Sequence, residues 1–288
     1  MPGENRAMQT CETKEALKRI AVQADEAVDI AEAALLLAAL DHPTTDLTLY
    51  REHLREIADS VHQKAESIGG GDAPSPEDMA AALTAVLAEH FRYAGDEETY
   101  EDLDNANLMR VIERRRGLPV SLGILYLAAA RAQGWAAVGL NFPNHFLVRL
   151  ESIDGRRVII DPFHRGRIMG APELRELLKV VAGPGVELEA GHYRPVPNRD
   201  VLIRLQNNIK SRSLDRGQLP AAAEALDRML LLDPDNASLW REAGVICMRA
   251  GQLKRSIEAF EGFIAHAEDG PDKDKISRVV GELRDRVN

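Results

Sequence analysis

Gly217-Gln218-Leu219 returns as Gly251-Gln252-Leu253 after 34 residues, and Ala225-Leu226 returns as Ala259-Phe260 at the same interval. A repeat of this length with helical spacing of its apolar residues is a stack of helix pairs, each burying one face against the next. Pro234 closes the first copy, while Trp240, Gly244 and Phe260 take packing positions in the second, with Cys247 in its core. The copies span about 203–236 and 237–270, and an amphipathic helix over 273–287 caps them. About three such units are needed to stand alone, so this pair is expected to dock on the rest of the protein.

A 34-residue period of paired helices is the tetratricopeptide signature. Upstream, residues 13–68 read as helical. Ile20, Ala24, Ala27, Ile30, Ala34 and Leu37 recur at the three- and four-residue steps of one buried face. His42-Pro43 breaks that run, and a second helix follows over about 47–68. Gly69-Gly70-Gly71 marks a flexible connection before a helix over about 76–91, with Ser75 as N-cap and Pro76 in the first helical position.

The middle of the chain changes texture. A short helix near 108–115 precedes a strongly apolar one over about 119–133, which stops at Gly134. Strands are expected over 146–150 and 157–160, joined by a hairpin at Ile153-Asp154-Gly155. A turn centred on Asp154 places Val148 opposite Ile160 and Leu147 opposite Asp161. Phe146, Val148, Leu150, Val158 and Ile160 then form one apolar face, and His145, Leu147, Arg149, Ile159 and Asp161 the other. Residues 183–200 read as a loop.

Net charge is −10 and the pI about 5.4, which argues against general affinity for nucleic acid or anionic membrane. No apolar run approaches the ~20 residues of a membrane-spanning helix, and no leader pattern opens the chain. Cys11 and Cys247 form neither a disulfide framework nor a zinc spacing, so a reducing cytoplasm is expected. The glycines at 69–71 lack the flanking pattern of a phosphate-binding loop, and no cofactor is expected.

Three residues are arranged for nucleophilic chemistry: Ser121 at a helix start, His145 at a strand start and Asp161 at the end of the next strand. A helix N-terminus favours a developing negative charge, an imidazole takes a proton, and a carboxylate fixes its tautomer. Ser121 in the first helical turn also suits a backbone-capping role. Arg115, in the run Arg114-Arg115-Arg116, and Arg165 are binding candidates for a carboxylate or phosphate, and Trp240 for a partner of the repeats. His145, Asp161 and His164 carry metal-ligand atoms, but ligand spacing across a hairpin is unspecific and no H-x-x-x-H or Cys partner supports the set, so no metal is expected.

The segments ERRRGLPVSLGILYL at 113–127, NFPNHFLVR at 141–149 and IDPF at 160–163 resemble the SirB-type bacterial proteins. Those are transglutaminase-like proteins with an N-terminal helical region and C-terminal tetratricopeptide repeats. The resemblance implies a helix-rich α+β fold with a papain-like core around a small antiparallel sheet. Its regions would be 13–102, helical and packed on the core; 103–198, the core; and 199–288, the repeats and capping helix. His145 and Asp161 fall on the family's His and Asp, while the superfamily's Cys falls on Pro119. Proline supplies neither a nucleophile nor an N–H for an oxyanion. The expectation is therefore a degenerate, non-catalytic or regulatory module that binds an unidentified protein or peptide through its repeats. The alternative is a hydrolase or acyl transferase built on Ser121, His145 and Asp161. Oligomeric state is left open.

Overall fold

Asp25 separates what the periodicity joins. In a computed structural model, which describes residues 2–68 and 74–287, helix α1 (Pro2–Ala21) ends, a 3-10 turn covers Asp25–Ala27, and α2 (Ile30–Ala39) begins anew. The Asp25 carboxylate accepts the Asn198 N–H at 2.7 Å and the Arg199 N–H at 3.0 Å, capping a distant helix. Asp29 accepts from Ala31 and Glu32 as the N-cap of α2. The single face expected from Ile20 to Leu37 is thus divided. Ile20 serves one compact unit, built from Lys14–Gln23 and the chain from Leu202 onward, while Ile30–Leu37 serve another, built from the chain up to Thr13 and Ala24–Val201.

In the latter unit α2 is buried on all sides but Glu32, and α3 (Thr48–Ile68) buries Ile57 and Val61. Ser75 and Asp78 form a reciprocal capping box on α4 (Pro76–Leu83), which runs on as a π-helical turn over Thr84–His90. The expected Gly69-Gly70-Gly71 connection lies outside the described residues. Strand β1 (Ala94–Gly95) pairs in parallel with β2 (Arg116–Gly117), which follows α5 (Leu108–Arg114) through a left-handed Arg115. The apolar helix α6 (Pro119–Ala132) is buried along nearly its whole length, as a sequence apolar all round requires.

The main sheet contains β3 (Ala136–Leu140), β4 (Leu147–Glu151), β5 (Arg157–Asp161), β6 (Arg167–Ile168) and β7 (Pro195–Val196) in the order β6-β5-β4-β3-β7, all antiparallel. Val148 pairs with Ile160 and Leu150 with Val158, the register expected from the turn. Two features depart from expectation: β3 inserts beside β4, and the stretch 183–200 includes β7 at the sheet edge. The second hairpin face is covered too. Leu147 packs with Leu140, Phe142, Met169, Leu174 and Leu178, the last two on α7 (Ala171–Ala182).

The second unit holds α9 (Leu219–Leu232), α10 (Ala237–Arg249), α11 (Leu253–His266), α12 (Pro271–Val287) and most of α8 (Asn198–Asp215). The repeat is visible in the backbone itself. Gly217 and Gly251 have φ of 70° and 73°. Gln218 donates its N–H to Ser213 and Gln252 to Cys247, at 2.8 and 2.9 Å. The close of α1 adds a further helical segment, which lines a groove with Asp227, Leu230 and Trp240.

Candidate functional site

Ser121 is fully buried at the start of α6. Its hydroxyl lies within donating distance of the Asn105 carbonyl at 2.8 Å and the Leu118 carbonyl at 3.1 Å. Room for it comes from Gly117, where a Cβ would meet Oγ at 2.6 Å. Pro119 occupies the first helical position, with Leu118 as N-cap. Cys11 is exposed on α1 and Cys247 is buried in α10.

His145 lies in the turn before β4, directly after a left-handed Asn144 (φ 48°). Its neighbour Phe146 is fully buried. Asp161 ends β5 with no exposed surface. His145 Nε2 lies 3.0 Å from both carboxylate oxygens, so this nitrogen carries the donated proton. The next turn joins this pair more fully than the hairpin register predicts. His164 Nδ1 donates to Oδ2 at 2.7 Å, and the Phe163 N–H donates to Oδ1 at 3.0 Å. The signal was local, an Asp followed three residues later by His, a spacing at which a turn folds the imidazole back onto the carboxylate. Burial alone would raise the Asp161 pKa; the hydrogen bonds from His145 and His164 outweigh it and hold the carboxyl well below the usual range. The bond to Asp161 raises His164, against the opposing effect of its partial burial. The two imidazoles stack with centroids 6.0 Å apart.

His164 opens onto a cleft of about 530 Å³ whose lining includes Asp96, Glu97, Arg114, Arg116 and Arg165. Arg114 is engaged by Asp96 at 2.9 Å, and Arg116 donates to the carbonyls of Arg92 and Arg115. Arg165 makes no hydrogen bond or ion pair among the described residues. Arg115 belongs to a different cluster, with its guanidinium 4.8 Å over the Tyr93 ring and hydrogen-bonded to the Tyr93 hydroxyl. Trp240 lies in the repeats, stacked parallel to His266 and donating to the Pro234 carbonyl at 2.6 Å. The structure therefore brings His145, Asp161 and His164 together, with Arg165 at the same cleft, and ties Ser121 to backbone carbonyls.

Residues 48–207 match the transglutaminase-like superfamily. The chain belongs to that superfamily. Residues 209–281 match the tetratricopeptide repeat, so a transglutaminase-like domain is followed by repeats, the SirB-type combination. A UPF0162 protein of Xylella fastidiosa is 32% identical over 267 residues, covering 92% of each chain. One from Vibrio cholerae is 27% identical over 263 residues, covering 90% of this chain and 93% of that one. Protein SirB1 of Salmonella typhimurium is 26% identical over 209 residues, covering 73% and 77%. The transglutaminase-like match spans α3 through most of α8 and contains His145, Asp161 and His164. Among the described residues no helix is long and apolar enough to cross a membrane.

Proposed function

We propose that this transglutaminase-like domain is a non-catalytic module that works in protein interaction together with its tetratricopeptide repeats. The observation that carries the reading is the fate of Ser121, the hydroxyl nearest the family's nucleophile position. It is fully buried and within hydrogen-bonding distance of two backbone carbonyls. Pro119 at the superfamily's Cys position supplies no thiol. For the serine-dependent alternative to operate, the hydroxyl would have to leave both carbonyls and cross into contact with His145. In this reading Arg115 and Trp240 are packing residues, and the interaction surface belongs to the repeats, which in such stacks hold an extended peptide or a helix.

Two experiments test it. A serine-reactive phosphonate leaves the wild-type chain unlabelled; labelling that vanishes in Ser121→Ala overturns the reading. Pro119→Cys in a Cys11→Ser background restores a thiol at a helix start, where a nearby imidazole and the helix terminus lower a thiol pKa below its ordinary ~8.5. The alkylation rate of that thiol should titrate below the ordinary value and move back up when His145→Ala is added. An ordinary titration in both backgrounds means that Pro119 is not at the nucleophile position.

A further inference from the structure

Two imidazoles from separate elements meet one buried carboxylate, and this supports more than an oriented His–Asp pair. One donor atom from each of His145, Asp161 and His164 lies within 4.8 Å of the others. A tetrahedral ion with bonds of about 2.0–2.2 Å to nitrogen and oxygen sets neighbouring donors roughly 3.3–3.5 Å apart. The His145–Asp161 and His164–Asp161 separations, 3.0 and 2.7 Å, are hydrogen-bond lengths shorter than that edge, so the carboxylate must draw back from each imidazole by a few tenths of an ångström or more to admit an ion. The two imidazole nitrogens, within 4.8 Å of each other, need a closure of about 1.5 Å at most. His164 can supply it, because its side chain is 46% exposed and sits in the turn between β5 and β6.

We propose that His145 Nε2, an Asp161 carboxylate oxygen and His164 Nδ1 bind one divalent transition-metal ion of the zinc class, with a remaining coordination position facing the cleft beside His164. Two nitrogen donors and one oxygen donor suit zinc, cobalt or ferrous iron rather than calcium or magnesium, which prefer all-oxygen sites. The protons are accounted for: each imidazole binds in its neutral form, and the proton on the bonding nitrogen moves to the other ring nitrogen or to solvent. Exposed Glu97 and Glu98 line the same cleft and offset the charge of Arg165 and Arg116 there.

An independent observation points to the same place. Tyr126 is fully buried, and its hydroxyl has no hydrogen-bond partner among the described residues. That hydroxyl lies against Gly166, in the turn that carries His164; a Cβ on this glycine would meet it at 3.0 Å. Burial, and then the charge of Asp161, push its pKa up, so the group stays a donor. An unsatisfied buried hydroxyl is rare and calls for an explanation; an oxygen held on an ion at Asp161 supplies a partner.

The test uses the full chain, free of any histidine tag and stripped with chelator. Titration with Zn²⁺ by calorimetry should show one ion per chain, and Co²⁺ should give the intense visible bands of four- or five-coordination. Removing a first ligand costs at least as much as the ~10–100-fold seen for outer-shell partners, so His164→Ala should weaken Zn²⁺ binding by about 100-fold or more. Its circular dichroism should match wild type, since the side chain is half exposed, and His62→Ala on α3 should bind as wild type. The proposal is overturned if Zn²⁺ does not bind at millimolar concentration, if His164→Ala binds equally well, or if binding is lost with Cys11→Ser instead.

Discussion

The ring of Phe146 occupies the space in which a side chain on Gly123 would begin. A Cβ at position 123 would fall 2.4 Å from the ring edge, and one at Gly139 would fall 2.4 Å from its tip. α6 and β3 thereby clamp the residue next to His145 and hold the start of β4. Alanine is worth about 1 kcal/mol more than glycine inside a helix, whereas overpacking a tight core costs about 1–3 kcal/mol. The clash should win. Gly123→Ala is expected to lower the urea midpoint, and an increase would show that the ring is not held there.

Ser121→Ala tests the same helix from its other end. The hydroxyl is shared between the Asn105 and Leu118 carbonyls. Both carbonyls keep a backbone donor, the Leu118 N–H on Asn105 at 3.2 Å and the Leu122 N–H on Leu118 at 3.0 Å, so the loss is that of a net hydrogen bond, about 0.5–1.5 kcal/mol. The variant should therefore be less stable by that amount in denaturant unfolding, with any partner binding by the repeats unchanged. A fully stable variant would mean that the hydroxyl makes neither bond in solution.

The site pair was legible because a hairpin register is local: one turn at Asp154 aligns β4 with β5 and so brings His145 beside Asp161. What lay beyond the hairpin was less so. β7 is two residues long and exists through pairing with β3, so its sequence alone carries no strand pattern. The division between α1 and α2 accompanies a contact between Asp25 and Asn198, far apart in sequence. α7 did leave a signal, since Leu174, Leu177, Leu178 and Val181 follow helical spacing, and all four pack under the sheet. The commitment of Ser121 to Asn105 had none, because any residue supplies a backbone carbonyl.

Stability should fall in mild acid through His53. Its Nε2 lies 2.9 Å from the Tyr93 hydroxyl and 2.5 Å from the Arg115 guanidinium, while Nδ1 faces Glu56 at 3.0 Å. Burial first, and then the Arg115 charge, lower its pKa. Burial pushes Tyr93 up to about 12, so it remains a neutral hydroxyl. With a depressed folded pKa, the unfolded chain binds more protons just below the ordinary histidine value. The contribution is thus complete above that value and is lost as pH falls from it toward the folded pKa. Unfolding free energies measured from pH 7.5 downward should decline more steeply in wild type than in His53→Gln; parallel curves would remove His53 as the cause.

The repeats offer the cleanest separation of backbone from packing. Gly217 and Gly251 sit one period apart with φ of 70° and 73°, and a Cβ on either would meet nothing within 4 Å. Alanine at these positions therefore adds no clash, and its cost is the left-handed backbone alone, about 1–2 kcal/mol. Gly217→Ala and Gly251→Ala should each lower stability by that amount, and by the same amount as each other. Asparagine, which tolerates the left-handed region better, should recover part of the loss at both sites. Unequal losses, or no recovery with asparagine, would mean that the two turns are not equivalent parts of one repeat.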